Sequence, residues 1–331
     1  MTSLQIGVNI DGVLHHDGLP FPDTATRFQM IAEAGVFDYV EKNPQPGEDL
    51  APCVGLCERY GLPLRVIGGI FRAGRDEAQL ATVIEWATRF GSKIVNCQLY
   101  AHHADGHCLT DAEVAAFYAT ACEWADKAGC VPSLEVHVDM WSEDFGRVAS
   151  VAERLARDGI ALRLTLDHSH LIFKIGNAGE LHASGIRQPG EPGEIVLDPA
   201  SPQAIYTQWI ARGWVHHAHA RSVAPNNPPN AWMQRADGRP GRGIQYPFVE
   251  PELAQWHGDW QETALAPWKL AVQQLLAHRA KGASHTPQQI SCEFIPFPDY
   301  GGGARYSIFD NNVACAEWLR ETWRRALVTG A

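Results

Sequence analysis

Gly129-Cys130-Val131-Pro132-Ser133-Leu134-Glu135-Val136-His137 sits at the end of a helical pattern. Thr110 and Glu113 stand three apart, as in a capping box, and Val114, Phe117, Tyr118, Ala121 and Cys122 then repeat on one helical face. Glycine readily takes the left-handed conformation that ends a helix, so Gly129 divides that helix from a short β-prone run. The nine residues read as a joint between an amphipathic helix and a strand.

The joint recurs in both directions along the chain. Gly35 precedes the run 36–41, Gly61 precedes 62–67, Gly91 precedes 92–98, Gly159 precedes 160–167 and Gly213 precedes 214–221, while Gly282 stands a few residues ahead of 289–295. With 4–10 these make eight candidate strands. Between them, 76–90 and 312–327 carry Leu, Val, Ile or Trp at helical intervals with charges on the other face. Strands alternating with helices imply a parallel sheet, which closes into a barrel or stays open and doubly wound. An open nucleotide-binding sheet places a glycine-rich phosphate loop after its first strand, where this chain has Asn9-Ile10-Asp11-Gly12-Val13-Leu14-His15-His16. We therefore expect an α/β fold, a (β/α)8 TIM barrel, as one domain over residues 1–331.

One segment breaks the rhythm. Residues 222–260 are rich in Pro, Gly, Asn and Trp and too long for a simple connection. Trp232, Trp256, Trp260, Tyr246 and Phe248 argue for packing over disorder, so a lid-like covering loop after the seventh strand is expected.

Hydrophobic residues make up 45% and charged residues 20% of the chain, ordinary values for a globular protein with ample core material. The 38 acidic residues against 27 basic ones, a net charge of -11, disfavour a nucleic-acid partner and suit a small-molecule carbohydrate or other polar substrate. A homo-oligomer stays open. Eight cysteines without CxxC spacing read as reduced residues of a cytoplasmic protein. No signal-peptide pattern opens the chain, and no apolar run reaches membrane-spanning length, so no membrane partner is expected.

In a barrel the C-terminal ends of the strands converge on one mouth. There the fifth strand brings Glu135, His137 and Asp139, the sixth Asp167 and then His170, the seventh His217, His219 and Arg221, and the eighth Glu293. Alternation along a strand puts each set on one face. Taken singly, each residue reads more simply as a capping or ion-paired group. Together they are another matter, because each buried, unpaired charge costs on the order of several kcal/mol. Arg221 alone cannot balance Glu135, Asp167 and Glu293, so one divalent metal ion is expected. Carboxylates with an imidazole suit Mn2+, Mg2+ or Co2+, and Zn2+ is admissible.

Weaker signals lie nearby. Asn96 and Gln98 share a strand face and either meet sugar hydroxyls or satisfy backbone groups. Glu41 reads equally as functional or structural. His102, His103 and His107 read as a polar loop in preference to a second metal site.

Glu135 in Leu134-Glu135-Val136-His137, Asp167-His168-Ser169-His170, His217-Ala218-His219 and Glu293 resemble the xylose-isomerase-like barrel family, which includes ketose 3-epimerases, hydroxypyruvate isomerases and inosose dehydratases. The resemblance spans essentially the whole chain. It implies that Glu135, Asp167, His219 and Glu293 hold the metal, with His170 and Arg221 contacting substrate. Where the epimerases carry a second Glu six residues beyond the first ligand this chain has Trp141, and the spacing from His219 to Arg221 is shorter than theirs. The implied activity is a sugar or sugar phosphate isomerase or epimerase in which Glu135 and Glu293 move a proton beside a metal-bound carbonyl. His137 and His217 would contact substrate or fix ligand geometry, the latter role suiting His217. The alternatives are a metal-dependent lyase of a keto-sugar or keto-cyclitol, a non-catalytic sugar-binding protein, and a DNA-repair nuclease, which the acidic balance disfavours.

Overall fold

A computed structural model describes residues 3–16, 20–186, 195–282 and 289–329; Met1, Thr2 and the connection 283–288 ahead of the last strand lie outside them. All eight expected strands form: β1 (Gln5–Asn9), β2 (Tyr39–Lys42), β3 (Leu64–Phe71), β4 (Ile94–Leu99), β5 (Val131–Val136), β6 (Leu164–Asp167), β7 (Val215–Ala220) and β10 (Gln289–Cys292). They pair in parallel and close into a barrel in the order β1-β10-β7-β6-β5-β4-β3-β2.

The helix-to-strand joints behave as the glycines suggest. Helix α4 (Asp111–Ala128) starts at the reciprocal Thr110–Glu113 box and stops at Gly129, whose φ of 70° is open to glycine and costly for most other residues. Helix α3 (Glu77–Phe90) buries Leu80, Val83, Ile84 and Ala87 along one stripe against the barrel. Every residue of β4 is buried, as expected of a parallel strand covered on its outer face by helices. Burying each large apolar side chain contributes about 1.5–3 kcal/mol. Tyr39, Val66 and Ile94 form a small separate cluster from three neighbouring strands.

Residues 222–260 carry structure of their own. Strands β8 (Asn230–Gln234) and β9 (Pro240–Gly241) form an antiparallel ribbon, and Ile244 and Tyr246 are buried beyond it. Two sets of contacts fasten the segment. The Asn230 side-chain amide lies 2.8 to 3.3 Å from the carbonyls of Pro298, Tyr300 and Gly302, in the loop that follows β10. Arg242 donates to Glu143 Oε1 at 2.6 Å and Glu180 Oε2 at 2.7 Å, while Arg235 donates to Asp139 Oδ2 at 3.0 Å. Glu143 also takes the buried ammonium of Lys174 at 2.5 Å, so three buried charges meet beside the loop that leaves β5. Burial alone would push the Glu143 carboxyl up, but Lys174 and Arg242 outweigh it and draw its pKa down to about 2. Among the described residues no helix is long and apolar enough to cross a membrane.

Candidate metal centre

Pairing register sets the level of each side chain at the mouth. Asp167 stands opposite His219, and His219 opposite Ser291; Glu293, two residues past Ser291, returns to the same face. Glu135 comes from the end of β5. Glu135, Asp167, His219 and Glu293 thus each offer one ligand atom, all within 4.8 Å of one another, and all four residues are buried.

Each carboxylate has one oxygen pinned and the other turned toward the group. Glu135 Oε2 accepts from Asn96 and from Gln98, both at 2.7 Å, which leaves Oε1 facing His219 Nδ1 at 3.2 Å. Asn9 donates to Glu293 Oε1 at 2.9 Å, and Oε2 lies 2.9 Å from the same imidazole nitrogen. The Ser169 backbone N–H holds Asp167 Oδ1 at 2.8 Å, with Oδ2 toward Arg221 and His170. Such outer contacts orient ligands and set their basicity at metal sites.

His219 meets a carboxylate on each side. Nε2 lies 2.9 Å from Glu41 Oε1, opposite the Nδ1 that faces Glu135 and Glu293. Burial opposes charge on this ring, but Glu293, Glu41 and Glu135 outweigh it and hold its pKa well above the usual histidine range. Glu135 moves the other way: burial raises it, and His219 with the Asn96 amide brings it below the carboxylate norm. Four buried carboxyl groups, Glu41, Glu135, Asp167 and Glu293, thus gather around the Arg221 guanidinium and the His219 ring, so acidic groups outnumber basic ones here. A divalent cation matches both that excess and the donor set, and with the ion at Nδ1 the Nε2–H would still meet Glu41.

The residues expected at the substrate are next to these four. Arg221 donates through Nε to Ser169 Oγ, through Nη1 to Glu293 O and Oε2, and through Nη2 to Asp167 and His170 Nε2, so all five N–H groups have protein acceptors. Its guanidinium lies 4.1 Å from the centre of the Tyr300 ring. His170 Nε2 lies 3.0 Å from Arg221 Nη2 and 3.5 Å from Asp167 Oδ2, and the Val138 N–H points at Nδ1 at 3.5 Å; burial, with His137 and Arg221 nearby, drives the His170 pKa well below the usual histidine range. The His137 ring packs against His170 tilted by 43°, with centroids 4.0 Å apart. Its Nδ1 donates to Val138 O at 2.5 Å, so its Nε2 accepts from Tyr300 OH at 2.8 Å. His217 lies two residues deeper on β7 and meets Glu41 Oε2 and Ser291 Oγ, each at 3.3 Å.

Sequence reasoning left Glu41 undecided and passed over Asn9 and Tyr300. Glu41 had a signal, since it is a carboxylate near the C-terminal end of a barrel strand; Tyr300 sits in a loop, where no period marks it. Asn96 and Gln98 resolve toward Glu135. Trp141, standing where the epimerases carry a second Glu, is fully buried in the hydrophobic core.

No protein-family model and no curated protein matches the chain. Solved structures do. A xylose isomerase-like TIM barrel protein from Mycobacterium smegmatis, in complex with magnesium, aligns with a TM-score of 0.59 at 15% identity over 99% of this chain and 100% of that one. An L-ribulose 3-epimerase aligns at 0.53, with 16% identity over 99% and 96%. The probable 3-DHS dehydratase AsbF from Bacillus anthracis aligns at 0.51, with 12% identity over 97% and 98%. The likeness is one of fold: this chain is built as the xylose isomerase-like TIM barrels are.

Proposed function

We propose that this chain is a divalent-metal-dependent sugar or sugar phosphate isomerase or epimerase. The observation that carries the reading is the convergence of Glu135, Asp167, His219 and Glu293, each with its outward atom held by another residue. These four would hold the ion, in keeping with the magnesium complex of the Mycobacterium smegmatis barrel. A bound ion supplies Lewis-acid polarisation of a substrate carbonyl and the hydroxyl beside it, which acidifies the C–H between or next to them.

The chain's own groups do the rest. Glu135 and Glu293 reach the substrate from strands separated by β6 and β7, so one carboxylate takes the proton and the other returns it. His170 and His137 orient substrate hydroxyls. Arg221 fixes Asp167 and Glu293, and meets substrate only by giving up one of its present bonds. Residues 222–260 shield the mouth from water. The epimerase among the similar structures agrees with this class of chemistry, while the dehydratase shows the same fold beside another.

Two measurements together test it: elemental analysis of purified wild type, His219→Ala and Glu293→Gln, and solvent deuterium incorporation into a panel of ketoses and keto-cyclitols. Metal in the wild type but absent from both variants, with deuterium appearing beside the carbonyl, is the expected result. Metal retained in both variants removes the ligand assignment, and a dehydrated product would make the protein a lyase.

A further inference from the structure

The mouth does not use every ligand set. The connection from β4 to α4 runs His102-His103-Ala104-Asp105-Gly106-His107-Cys108 and folds back on itself. His103 N–H donates to His107 O at 2.9 Å, Gly106 N–H donates to His103 O at 3.0 Å, and His102 and Cys108 form an antiparallel bridge. Gly106 turns the chain at a φ of 98°, which only glycine adopts readily.

This turn stacks the rings of His103 and His107, centroids 4.9 Å apart and 25° from parallel. Both rings aim Nδ1 at one oxygen, Asp105 Oδ1, at 3.2 and 2.5 Å. Behind His107, Nε2 lies 2.9 Å from Glu113 Oε1, and Glu113 Oε2 is fixed by the Thr110 N–H at 2.8 Å and hydroxyl at 2.7 Å. A neutral His107 ring donates at only one nitrogen, so with its proton toward Glu113 the Nδ1 lone pair faces the Asp105 carboxylate, while the Asp105 N–H reaches His103 Nδ1 at 3.3 Å. Two acceptors that close require a cation between them. A proton serves one imidazole. A metal serves both: tetrahedral ligand bonds of about 2.0–2.2 Å place donor atoms roughly 3.3–3.6 Å apart, near the His103 separation, and the shorter His107 contact would open by about 1 Å to admit the ion.

We propose that His103, Asp105 and His107 form a second divalent-cation site of the zinc class, with Glu113 orienting His107 from behind. Two imidazoles and one carboxylate match zinc better than magnesium. Beside the loop lies a cavity of about 280 Å³ whose lining includes Gly74, Glu77, His103, Glu113 and Phe117. The site shares no residue with the mouth, and the ion would clamp the connection onto the first turn of α4.

The test is zinc stoichiometry on the full chain, stripped with chelator, refilled with zinc, desalted and counted against a competing chelator. Wild type should hold one more zinc than the double variant His103→Ala/His107→Ala, and His219→Ala should keep the ion in this loop. Asp105→Asn, which preserves shape, should lose it as well, and Glu113→Gln should weaken it by about 10–100-fold. If the double variant unfolds, Asp105→Asn decides. Equal zinc in wild type and in these loop variants overturns the site, and so does zinc that follows Cys108→Ser instead.

Discussion

His219 is gripped from behind by Glu41: Nε2 and Oε1 lie 2.9 Å apart, while Nδ1 faces Glu135 and Glu293 on the other side. Outer contacts of this kind change metal affinity by about 10–100-fold when removed. Glu41→Gln keeps the shape and should weaken divalent-metal binding at the mouth within that range, with little change in fold. Calorimetric titration checks it, and unchanged affinity would reduce Glu41 to a structural partner of His217.

The pinned oxygens make the mouth a prebuilt centre. A chelator-stripped chain should therefore keep its secondary structure by circular dichroism. Adding Mn2+ or Mg2+ at about a hundred times the dissociation constant should then stabilise it by about 2.7 kcal/mol, because the ion binds the folded state alone. A melting temperature that ignores metal in the wild type would speak against the centre.

Tyr300 has two separable jobs. Tyr300→Phe removes the hydroxyl that serves His137 Nε2 and leaves that acceptor unpaired, at about 1–3 kcal/mol. Tyr300→Leu also removes the ring face under Arg221, worth about 0.5–2 kcal/mol more. Denaturant unfolding should rank wild type above Phe above Leu, and on a substrate ketose KM should rise more than kcat falls.

Arg242 and Lys174 leave Glu143 with a buried charge that needs both. Arg242→Met should destabilise the fold by about 3–5 kcal/mol, since it breaks a buried pair instead of replacing it. The Glu143 pKa falls from an ordinary 4.5 to about 2 in the fold. Its contribution is thus complete above pH 4.5 and disappears as pH drops toward 2. Urea melts of wild type and Glu143→Gln between pH 5 and about 2.5 should converge as acid is added.

His168 makes the opposite use of burial. Neither ring nitrogen has a hydrogen-bond partner among the described residues, and burial, with Arg279 nearby, lowers its pKa from 6.5 to about 3. The unfolded chain takes up this proton first, so stability falls as pH drops from 6.5 toward 3. His168→Phe, placed edge-on to Tyr206 as the imidazole is, should flatten that slope by about one proton. An unaltered slope would show that the ring protonates freely in the fold.

The barrel was legible because glycine ends helices for a local reason, and a local rule survives in the sequence wherever the joint recurs. Glu135, Asp167, His219 and Glu293 were legible for a related reason, since strand ends of a closed parallel sheet converge whatever lies between them. Glu41 and Asn9 were not. Each acts through partners far along the chain, and only register shows that Asn9 meets Glu293 or that Glu41 meets His217 and His219. Residues 222–260 follow no period because their fixed points are a side-chain amide on three carbonyls and arginines on carboxylates, neither of which imposes a spacing.

The strand that completes the ring is also the last one made. β10 lies between β1 and β7, so the first strand of the chain waits for the eighth, and Glu293 follows that strand directly. During synthesis, a nascent chain that stops short of residue 293 has an open sheet edge and an incomplete ligand set. On the proposed metal reading, ion capture would be a late event in biogenesis, and shortened products would lack the ligand that Glu293 supplies.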